Sequence, residues 1–193
     1  MVGNMYSKNG VVIRPILDND DSYNEQIDRL FESEIYCGIT EIYGLEPSIN
    51  YINEAQKKGN LGVTLDKKGQ LLGAFAINDI CQMGEREKMV EISNIAVRSN
   101  QRNNKYGSKM LKLAEKMIID KYGDDVTAFV KVMSIASLDT RVSIPYNLRL
   151  KKFYEKNGYS PDNDLTRQYK DDPSFDYEYM RCAIGIFMHS KKL

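Results

Sequence analysis

The spacing of hydrophobic residues along the chain predicts four helices. The most regular pattern covers Tyr106–Tyr122, where apolar side chains recur three and four positions apart and a glycine follows as a stop signal. Pro47–Lys58 begins with a proline and ends before a glycine, the usual order at the two ends of a helix. The other two helices are predicted over Asp20–Tyr36, capped by one of its first two aspartates, and Asn147–Asn157.

Short or alternating apolar runs predict the strands. They are Val11–Ile16, Leu61–Leu65, Gln70–Ile80, Met89–Val97, Asp125–Val132 and Tyr177–Ile186. The turn DKKGQ joins the second and third of these and predicts a hairpin. Met133–Tyr146 and Ser160–Asp176 are predicted to be long loops. The order strand, two helices, three strands, helix, strand, helix, strand places the chain in the mixed α/β (α+β) class.

The fourth strand contains a shift in its hydrophobic phase. Val90 and Ile92 alternate regularly. The next apolar residues, Ile95 and Val97, are one position out of phase with them. One extra residue near Ser93–Asn94 would return both pairs to the core, and such an insertion is a β-bulge. Because a bulge leaves backbone groups without a partner on the neighbouring strand, a ligand can bind them. An ordinary strand end with apolar final residues fits the same pattern.

A polar segment with a single glycine connects this strand to the most regular helix. Helix N-termini bind anions because they present free N–H groups and the positive end of the helix dipole. Gly107 lets the backbone approach a ligand, and Arg102 and Lys105 add positive charge. The segment therefore predicts a phosphate or pyrophosphate site, and a solvated helix cap is the alternative. The sequence has neither the GxxxxGK[ST] of a P-loop nor the three glycines of a dinucleotide fingerprint.

The composition limits which cellular compartment and which binding partners we expect. The 193 residues include 27 Lys and Arg and 27 Asp and Glu, so the net charge gives no general attraction to nucleic acid. No apolar run approaches the ~20 residues of a membrane span, and the N-terminus has no secretory h-region. Three widely spaced cysteines and one histidine predict neither a disulfide framework nor a metal site. We expect a single cytoplasmic domain over residues 1–193, with a flexible tail of about residues 1–8.

Two runs of sequence resemble motifs of the GNAT superfamily of N-acetyltransferases. In that family a bulged strand leads through Q/R-x-x-G-x-G/A into a helix, and EISNIAVRSNQRNNKYGSKML looks like this acetyl-CoA-binding motif. Arg102, Lys105, Gly107 and Ser108 fall near the pattern, with Lys105 at the position of its first glycine. NLRLKKFYEKNGY is similar to the family pattern N-x-x-A-x-x-x-Y-x-x-x-G-F/Y. It matches at Asn147, Tyr154, Gly158 and Tyr159, with Leu150 in place of the usual alanine. The order of elements also matches over most of the chain.

The resemblance implies a fold and a cofactor. The fold would be a mostly antiparallel central sheet of about six to seven strands with helices on both faces. The co-substrate would be acetyl-CoA, with no metal. The implied cofactor-binding residues are Ile95, Ala96, Val97, Arg102, Asn103, Asn104, Lys105, Tyr106, Gly107, Ser108 and Asn147. Lys105 departs from the family, which usually has glycine there. A lysine still offers its N–H and its ammonium, provided its backbone adopts an allowed conformation.

The resemblance also assigns the proton transfers. An alkyl amine has a reference pKa of about 10.4, so it must lose a proton before it can attack the thioester. Glu91 stands where a carboxylate takes this proton, directly or through water. Tyr154 stands where the family places the acid that protonates the departing thiolate. The bulge backbone around Ile95 and Val97 would bind the pantetheine arm and polarise the thioester carbonyl. A solvated strand charge and a core tyrosine are the alternatives for Glu91 and Tyr154.

The acceptor amine is less well defined. In the family the first two helices, the loop between them and later loops form its site, and here these segments mix acidic with aromatic residues. That mixture suits a cation such as a polyamine, an aminoglycoside or a peptide amine, and ordinary surface is the alternative. The acidic residues are Glu32, Glu34, Glu41, Glu46, Asp162, Asp164, Asp171, Asp172 and Asp176.

Three functions therefore stay open. The first is an N-acetyltransferase for a small cationic amine, acting by direct transfer without a cysteine nucleophile. The second is a protein or peptide N-acetyltransferase, and the third is a non-catalytic acyl-CoA-binding module. A homodimer is possible by analogy with relatives. No nucleic-acid or membrane partner is expected.

Overall fold

The structure is a computed structural model that describes residues 6–8, 10–36, 49–83, 86–135, 140–171 and 184–193. Side chains are described for residues 10–35, 49–82, 86–131, 148–167 and 189–193. The chain divides into two compact units. Unit 1 is Met1–Asp79 with Ile92–Gly123, and unit 2 is Ile80–Glu91 with Asp124–Leu193.

The described residues form the following elements. The strands are β1 (Tyr6–Lys8), β2 (Val11–Pro15), β3 (Leu61–Leu65), β4 (Leu71–Ile77), β5 (Cys81–Met83), β6 (Arg86–Val97), β7 (Thr127–Ile135), β8 (Ser160–Pro161) and β9 (Ile184–Lys192). The helices are α1 (Asn24–Phe31), α2 (Ile49–Lys57), α3 (Tyr106–Tyr122), α4 (Thr140–Lys156) and α5 (Asn163–Asp171). A π-helical segment, Glu32–Tyr36, continues α1, and a 3₁₀ turn, Ser99–Gln101, lies between β6 and α3.

In unit 1 helices cover both faces of an antiparallel sheet. The strands β1, β2, β3 and β4 and the second half of β6 pair in that order. Ala74 of β4 belongs to a buried cluster with Phe31 of α1 and Ile52 of α2. On the opposite face, a Cβ added to Gly73 would lie 3.2 Å from Met110 of α3. The alternation of side chains along β4 thus places α1 and α2 on one face and α3 on the other.

In unit 2 the first half of β6 pairs in parallel with β7. The strand β9 is antiparallel to β7, and β8 and β5 add short antiparallel pairs to β9 and β6. Among the strands that the structure describes, β6 and β7 form the single parallel pair. The predicted mixed, mostly antiparallel fold class is confirmed. The described strands exceed the predicted number by three, namely β1, β5 and β8, which are only two or three residues long.

Local signals predicted some element boundaries correctly. The helix α3 spans the predicted residues, since its apolar face and its glycine stop both lie within the segment itself. The hairpin of β3 and β4 is also present. The prediction that Asp20 or Asp21 caps α1 is wrong, because α1 begins at Asn24 after Tyr23 and has no side-chain cap hydrogen bond. The Asp20 carboxylate accepts hydrogen bonds from Arg14 and from the backbone N–H of Leu17 instead, and Asp21 lies in a 3₁₀ turn, Asp21–Tyr23.

Other boundaries were wrong because distant partners set them. The predicted loop Met133–Tyr146 contains the end of β7 and the start of α4. The predicted loop Ser160–Asp176 contains α5, which one buried apolar residue, Leu165, anchors. The last strand extends through the polar residues to Lys192 because β9 pairs with β7 over its whole length. The predicted residues 177–183 of that strand lie outside the described residues.

One carboxylate joins three elements of unit 1. Asp79, which follows β4, accepts hydrogen bonds from Lys58 Nζ at 2.7 Å and from Asn60 Nδ2 at 3.0 Å, next to the end of α2. It also accepts hydrogen bonds from Lys121 Nζ at 3.3 Å and the Tyr122 hydroxyl at 3.1 Å, at the end of α3. These donors, Lys58 first, hold the pKa of Asp79 well below its usual range.

The substitution Asp79→Asn should lower the free energy of unfolding at pH 7 by about 1 kcal/mol, since the carboxylate is partly screened by solvent. For this chain length that corresponds to roughly 2–4 °C in Tm. A depressed pKa stabilises the fold fully above the unfolded pKa of about 3.9, and that stabilisation is lost as the pH falls further. Thermal melts of both proteins between pH 7 and pH 3 should therefore show the difference shrinking below about pH 4.

The matched control is Asp120→Asn, which removes an exposed i,i+4 pair with Lys116 on α3. Such a pair contributes no more than about 0.5 kcal/mol. A difference for Asp79→Asn that stays constant over the whole pH range would contradict the depressed pKa.

Candidate functional site

The predicted bulge is present in β6. Between two paired positions, β6 has two residues, Asn94 and Ile95, where β4 has only Phe75. Asn94 adopts a φ of 50°, in the left-handed region that asparagine tolerates better than most side chains. The phase shift in the sequence therefore corresponds to a real two-for-one insertion.

The bulge places Ala96, not its neighbours, in the core. Val90 and Ile92 are buried as predicted, and Ala96 is 3% exposed within the cluster under α1 and α2. The prediction that Ile95 and Val97 also return to the core is wrong, because both are only half-buried. Val97 stands opposite Gly73, which has no side chain to cover it.

The segment between β6 and α3 is held at its start by β4. The backbone N–H of Arg98 donates to the carbonyl of Leu72 at 3.0 Å, and its Nε donates to the carbonyl of Leu71 at 2.6 Å. The 3₁₀ turn follows, and Arg102 then adopts an extended conformation. The course of the backbone is therefore fixed as it leaves the sheet.

Glu34 contacts the same segment from the π-helical stretch after α1. Its Oε1 accepts the backbone N–H of Ser99 at 2.8 Å, and its Oε2 accepts Nη2 of Arg102 at 2.6 Å. Arg102, predicted to add charge for a phosphate, is thus already paired through one of its donors. Glu34 is one of the acidic residues expected at the acceptor site, but its carboxylate faces a cation of the chain itself.

Lys105 adopts the conformation that the family's glycine would adopt without strain. It is the N-cap of α3 with φ 61° and ψ 14°, in the left-handed region, and its side chain caps nothing. Asn103 also has a positive φ, 71°. The first helical amides, those of residues 106–108, have no carbonyl four residues earlier within the helix. A helix start of this kind binds anions in many proteins.

In unit 2, the candidate base Glu91 has an ion-pair partner. Its carboxylate lies 3.1 Å from Lys131 Nζ, and its side chain is only 12% exposed. The alternative of a solvated strand charge therefore does not describe Glu91. Burial raises the pKa of the neighbouring Cys81 thiol, and the Glu91 carboxylate adds to the rise. A protonated thiol is a poor nucleophile.

Tyr154 lies where α4 ends in a Schellman motif. The backbone N–H of Tyr159 donates to the carbonyl of Tyr154 at 3.1 Å, and that of Gly158 donates to Glu155 at 3.0 Å. Gly158 has a φ of 90°, which requires a glycine at this position of the family pattern. The Tyr154 ring is 8% exposed, and its centroid lies 5.9 Å from that of Tyr159. The motif thus fixes the backbone of Tyr154, whose side chain is buried, and the acid role of Tyr154 stays a prediction.

Several predicted residues lie outside the described part of the chain. The backbone of Asn147 belongs to α4, but its side chain is not among those described. Likewise the backbone of Asp171 belongs to α5, but its side chain is not described. The described residues do not include Cys37, Cys182, Glu41, Glu46, Asp172 and Asp176.

Two other acidic candidates have structural partners. Asp162 accepts the N–H of Leu165 as the cap of α5 and forms an ion pair with Arg86. Asp164 pairs with Arg167 at 3.0 Å. Sequence reasoning missed these roles, although an aspartate before a polar helix is a cap signal.

Two kinds of feature, a metal-binding cluster and a membrane-spanning helix, are absent from the described residues. No group of three or more His, Cys, Asp or Glu side chains there is arranged to hold a metal ion. None of the described helices is long and apolar enough to cross a membrane.

The left-handed conformation of Lys105 makes a testable prediction about stability. Lys105→Gly should be more stable than Lys105→Val by about 1–2 kcal/mol, because a β-branched residue is strained at positive φ. That is roughly 2–6 °C in Tm. At Lys112, exposed in the interior of α3, the order should reverse by about 0.5 kcal/mol, since glycine is the poorer helix former. Melts of the four variants test this, and the same order at both positions would contradict the geometry.

Solved structures with the same fold include several acetyltransferases. The NatC complex bound to a Gag peptide and CoA aligns with a TM-score of 0.64 and 16% identity, covering 95% of this chain and 98% of that chain. An aminoglycoside 6'-N-acetyltransferase complexed with coenzyme A aligns with a TM-score of 0.60 and 15% identity, covering 93% and 95%. Arabidopsis thaliana Naa50 in complex with a bisubstrate analogue aligns with a TM-score of 0.58 and 14% identity, covering 95% and 99%. Identities this low establish the fold alone.

The family is assigned from the sequence itself. No curated protein matches the chain. The acetyltransferase (GNAT) family matches residues 24–159, which is well over half of the chain. This range includes the bulged strand, the segment before α3 and the end of α4. The chain therefore belongs to the acetyltransferase (GNAT) family.

Proposed function

We propose that this acetyltransferase moves an acetyl group from acetyl-CoA to a primary amine, by direct transfer in a ternary complex. The observation that carries the proposal is the start of α3, where amides without intrahelical partners follow a bulged strand and a left-handed Lys105. The family match includes these residues, and two of the similar structures contain coenzyme A. The match draws on residues of both units, which supports one acetyltransferase domain over residues 1–193.

The donor would be bound mainly by backbone. In our proposal the amides of Tyr106, Gly107 and Ser108 bind the pyrophosphate at the positive end of the α3 dipole. Arg102 and Lys105 add charge, and the neighbouring Asn103 and Asn104 complete the segment. The backbone of Ile95–Val97, in and directly after the bulge, would bind the pantetheine arm, and Asn147 would hydrogen-bond to it.

The chemistry requires one base and one acid. The amine nitrogen, once its proton has passed to Glu91 directly or through water, attacks the thioester carbon. The C–S bond then breaks, and the phenol of Tyr154 gives its proton to the CoA thiolate. Reference pKa values of about 10 for a phenol and 8.5 for a thiol make that step uphill by roughly 2 kcal/mol, which is small beside bond cleavage. The nitrogen loses its second proton as the amide forms, and that proton restores the phenol.

The acceptor that we propose is a small cationic amine such as a polyamine. Its support is the excess of acidic and aromatic residues in the segments that form the family's acceptor site. Glu34, Asp162 and Asp164 no longer count toward that excess, because each already faces an arginine of the chain. A protein or peptide amine is the second candidate, favoured by the peptide in the similar NatC structure. A non-catalytic acyl-CoA-binding module is the third.

Acetyl-CoA should raise the Tm of the protein, whereas ATP and NAD should not. Ligand at about 100 times its Kd contributes ~2.7 kcal/mol. For this chain length the shift is roughly 5–10 °C. Release of free thiol from acetyl-CoA should then be measured with spermidine, an aminoglycoside and a peptide with a free N-terminus. The fastest acceptor decides between the first two candidates, and the absence of any shift with acetyl-CoA would contradict the proposed donor site.

Replacing Tyr154 with Phe should lower kcat by about a hundredfold, since general-acid catalysis contributes at least that much. The KM for acetyl-CoA should change little, because the ring and its packing are kept. Tyr159→Phe is the matched control, since it removes a phenol hydroxyl from the same aromatic contact and should leave kcat unchanged. Equal kcat values for wild type and Tyr154→Phe would remove Tyr154 from the mechanism.

A further inference from the structure

We infer that Glu34 is a positioning residue for the cofactor: it fixes the segment from Ser99 to Arg102 and orients the Arg102 guanidinium toward the start of α3. The inference rests on the proposed function, because it assumes that acetyl-CoA binds at this helix start. It adds a residue that belongs to neither of the two family motifs in the sequence.

A single carboxylate closes the segment at both ends. Oε1 of Glu34 takes the backbone N–H of Ser99 at 2.8 Å, and Oε2 takes Nη2 of Arg102 at 2.6 Å. The side chain of Glu34 is 14% exposed and that of Arg102 is 35% exposed, so the carboxylate is mostly covered while the guanidinium still reaches water. Shielded, charge-assisted hydrogen bonds are stronger than those of surface pairs.

The backbone that continues from this segment into α3 is strained. Asn103 and Lys105 both adopt positive φ, and neither is glycine. Strained backbone persists only where the surroundings hold it in place. The hydrogen bonds of Arg98 to β4 hold the start of the segment, and the bond from the Lys109 N–H to the Lys105 carbonyl begins the helix. Glu34 supplies the attachment between these two points.

The geometry also leaves Arg102 able to bind a phosphate. A guanidinium has five N–H donors in a rigid plane, and the bond to Glu34 involves Nη2. Holding that edge fixes the direction of the remaining donors, which lowers the entropy lost when a ligand binds.

Glu34 lies in a π-helical stretch. Segments of this kind are rare, and they occur frequently at functional sites, where they redirect a side chain. Here the stretch Glu32–Tyr36 follows α1 directly, and its third residue is the one that reaches the segment before α3. Glu34 is 65 positions from Ser99 in sequence, so this contact exists only in the folded chain.

An opposite role for Glu34 makes an opposite prediction. If Glu34 competed with phosphate for Arg102, then removing its charge would free a cation and tighten cofactor binding. If Glu34 positions the segment, then Glu34→Gln should weaken binding. The sign of the change therefore separates the two roles.

The test compares wild type, Glu34→Gln and Arg102→Gln with the corresponding double variant. Calorimetry should give a Kd for acetyl-CoA about tenfold higher in Glu34→Gln, the size expected for residues of one ion-pair network. In the double variant the Kd should be no higher than in Arg102→Gln alone, because the two residues act together. The KM for acetyl-CoA should rise in parallel, while kcat at saturating acetyl-CoA stays within about twofold of wild type.

Glu25→Gln is the matched control. It removes a glutamate of α1 from an exposed pair with Arg29, both 78% exposed, and should leave Kd unchanged. A lower or unchanged Kd in Glu34→Gln, or a fall in kcat without a rise in KM, overturns the inference. Failure of wild type to bind acetyl-CoA overturns the proposed function, and the inference falls with it. If Glu34→Gln does not fold, Arg102→Lys keeps the charge but loses the planar fork, and an unchanged Kd there overturns the inference.

Discussion

Asn94 and Ile95 stand opposite one residue of β4, and this insertion changes the face of every position that follows in β6. It brings Ala96 into the cluster under α1 and α2 and leaves Ile95 and Val97 half-buried. It also sets the direction in which the chain leaves the sheet toward α3. A strand without the insertion would turn these side chains over, and the segment before α3 would start from the other face.

The segment that follows the bulge shows how strain and tethering are combined in unit 1. Lys105 and Asn103 hold left-handed conformations without the freedom of glycine. Arg98 and Glu34 hold the same backbone from β4 and from the π-helical stretch. Preorganisation of this kind reduces the conformational entropy that the site loses when a ligand binds. A lysine in place of a glycine is therefore compatible with the backbone that an anion site requires.

Unit 2 follows the same principle with different chemistry. The Schellman motif at Gly158 fixes Tyr154 by backbone hydrogen bonds, and the ring of Tyr159 buries it. Lys131 holds the Glu91 side chain in an ion pair in which the carboxylate is nearly buried. Both candidate catalytic side chains are thus held by their surroundings, as groups that transfer protons must be to act at a defined geometry.

The sequence alone determined the features whose signals are local. The periodicity of α3, the phase shift in β6 and the glycine after α4 each lie within a few residues, and together they carried the family resemblance. Tertiary structure decided the rest. The partner of Arg102 is 68 positions away. Val97 is half-buried although the sequence pattern predicts it in the core. The strand β9 extends through polar residues because β7 pairs with it. Contacts between residues far apart in sequence leave no local pattern, so only the folded chain shows them.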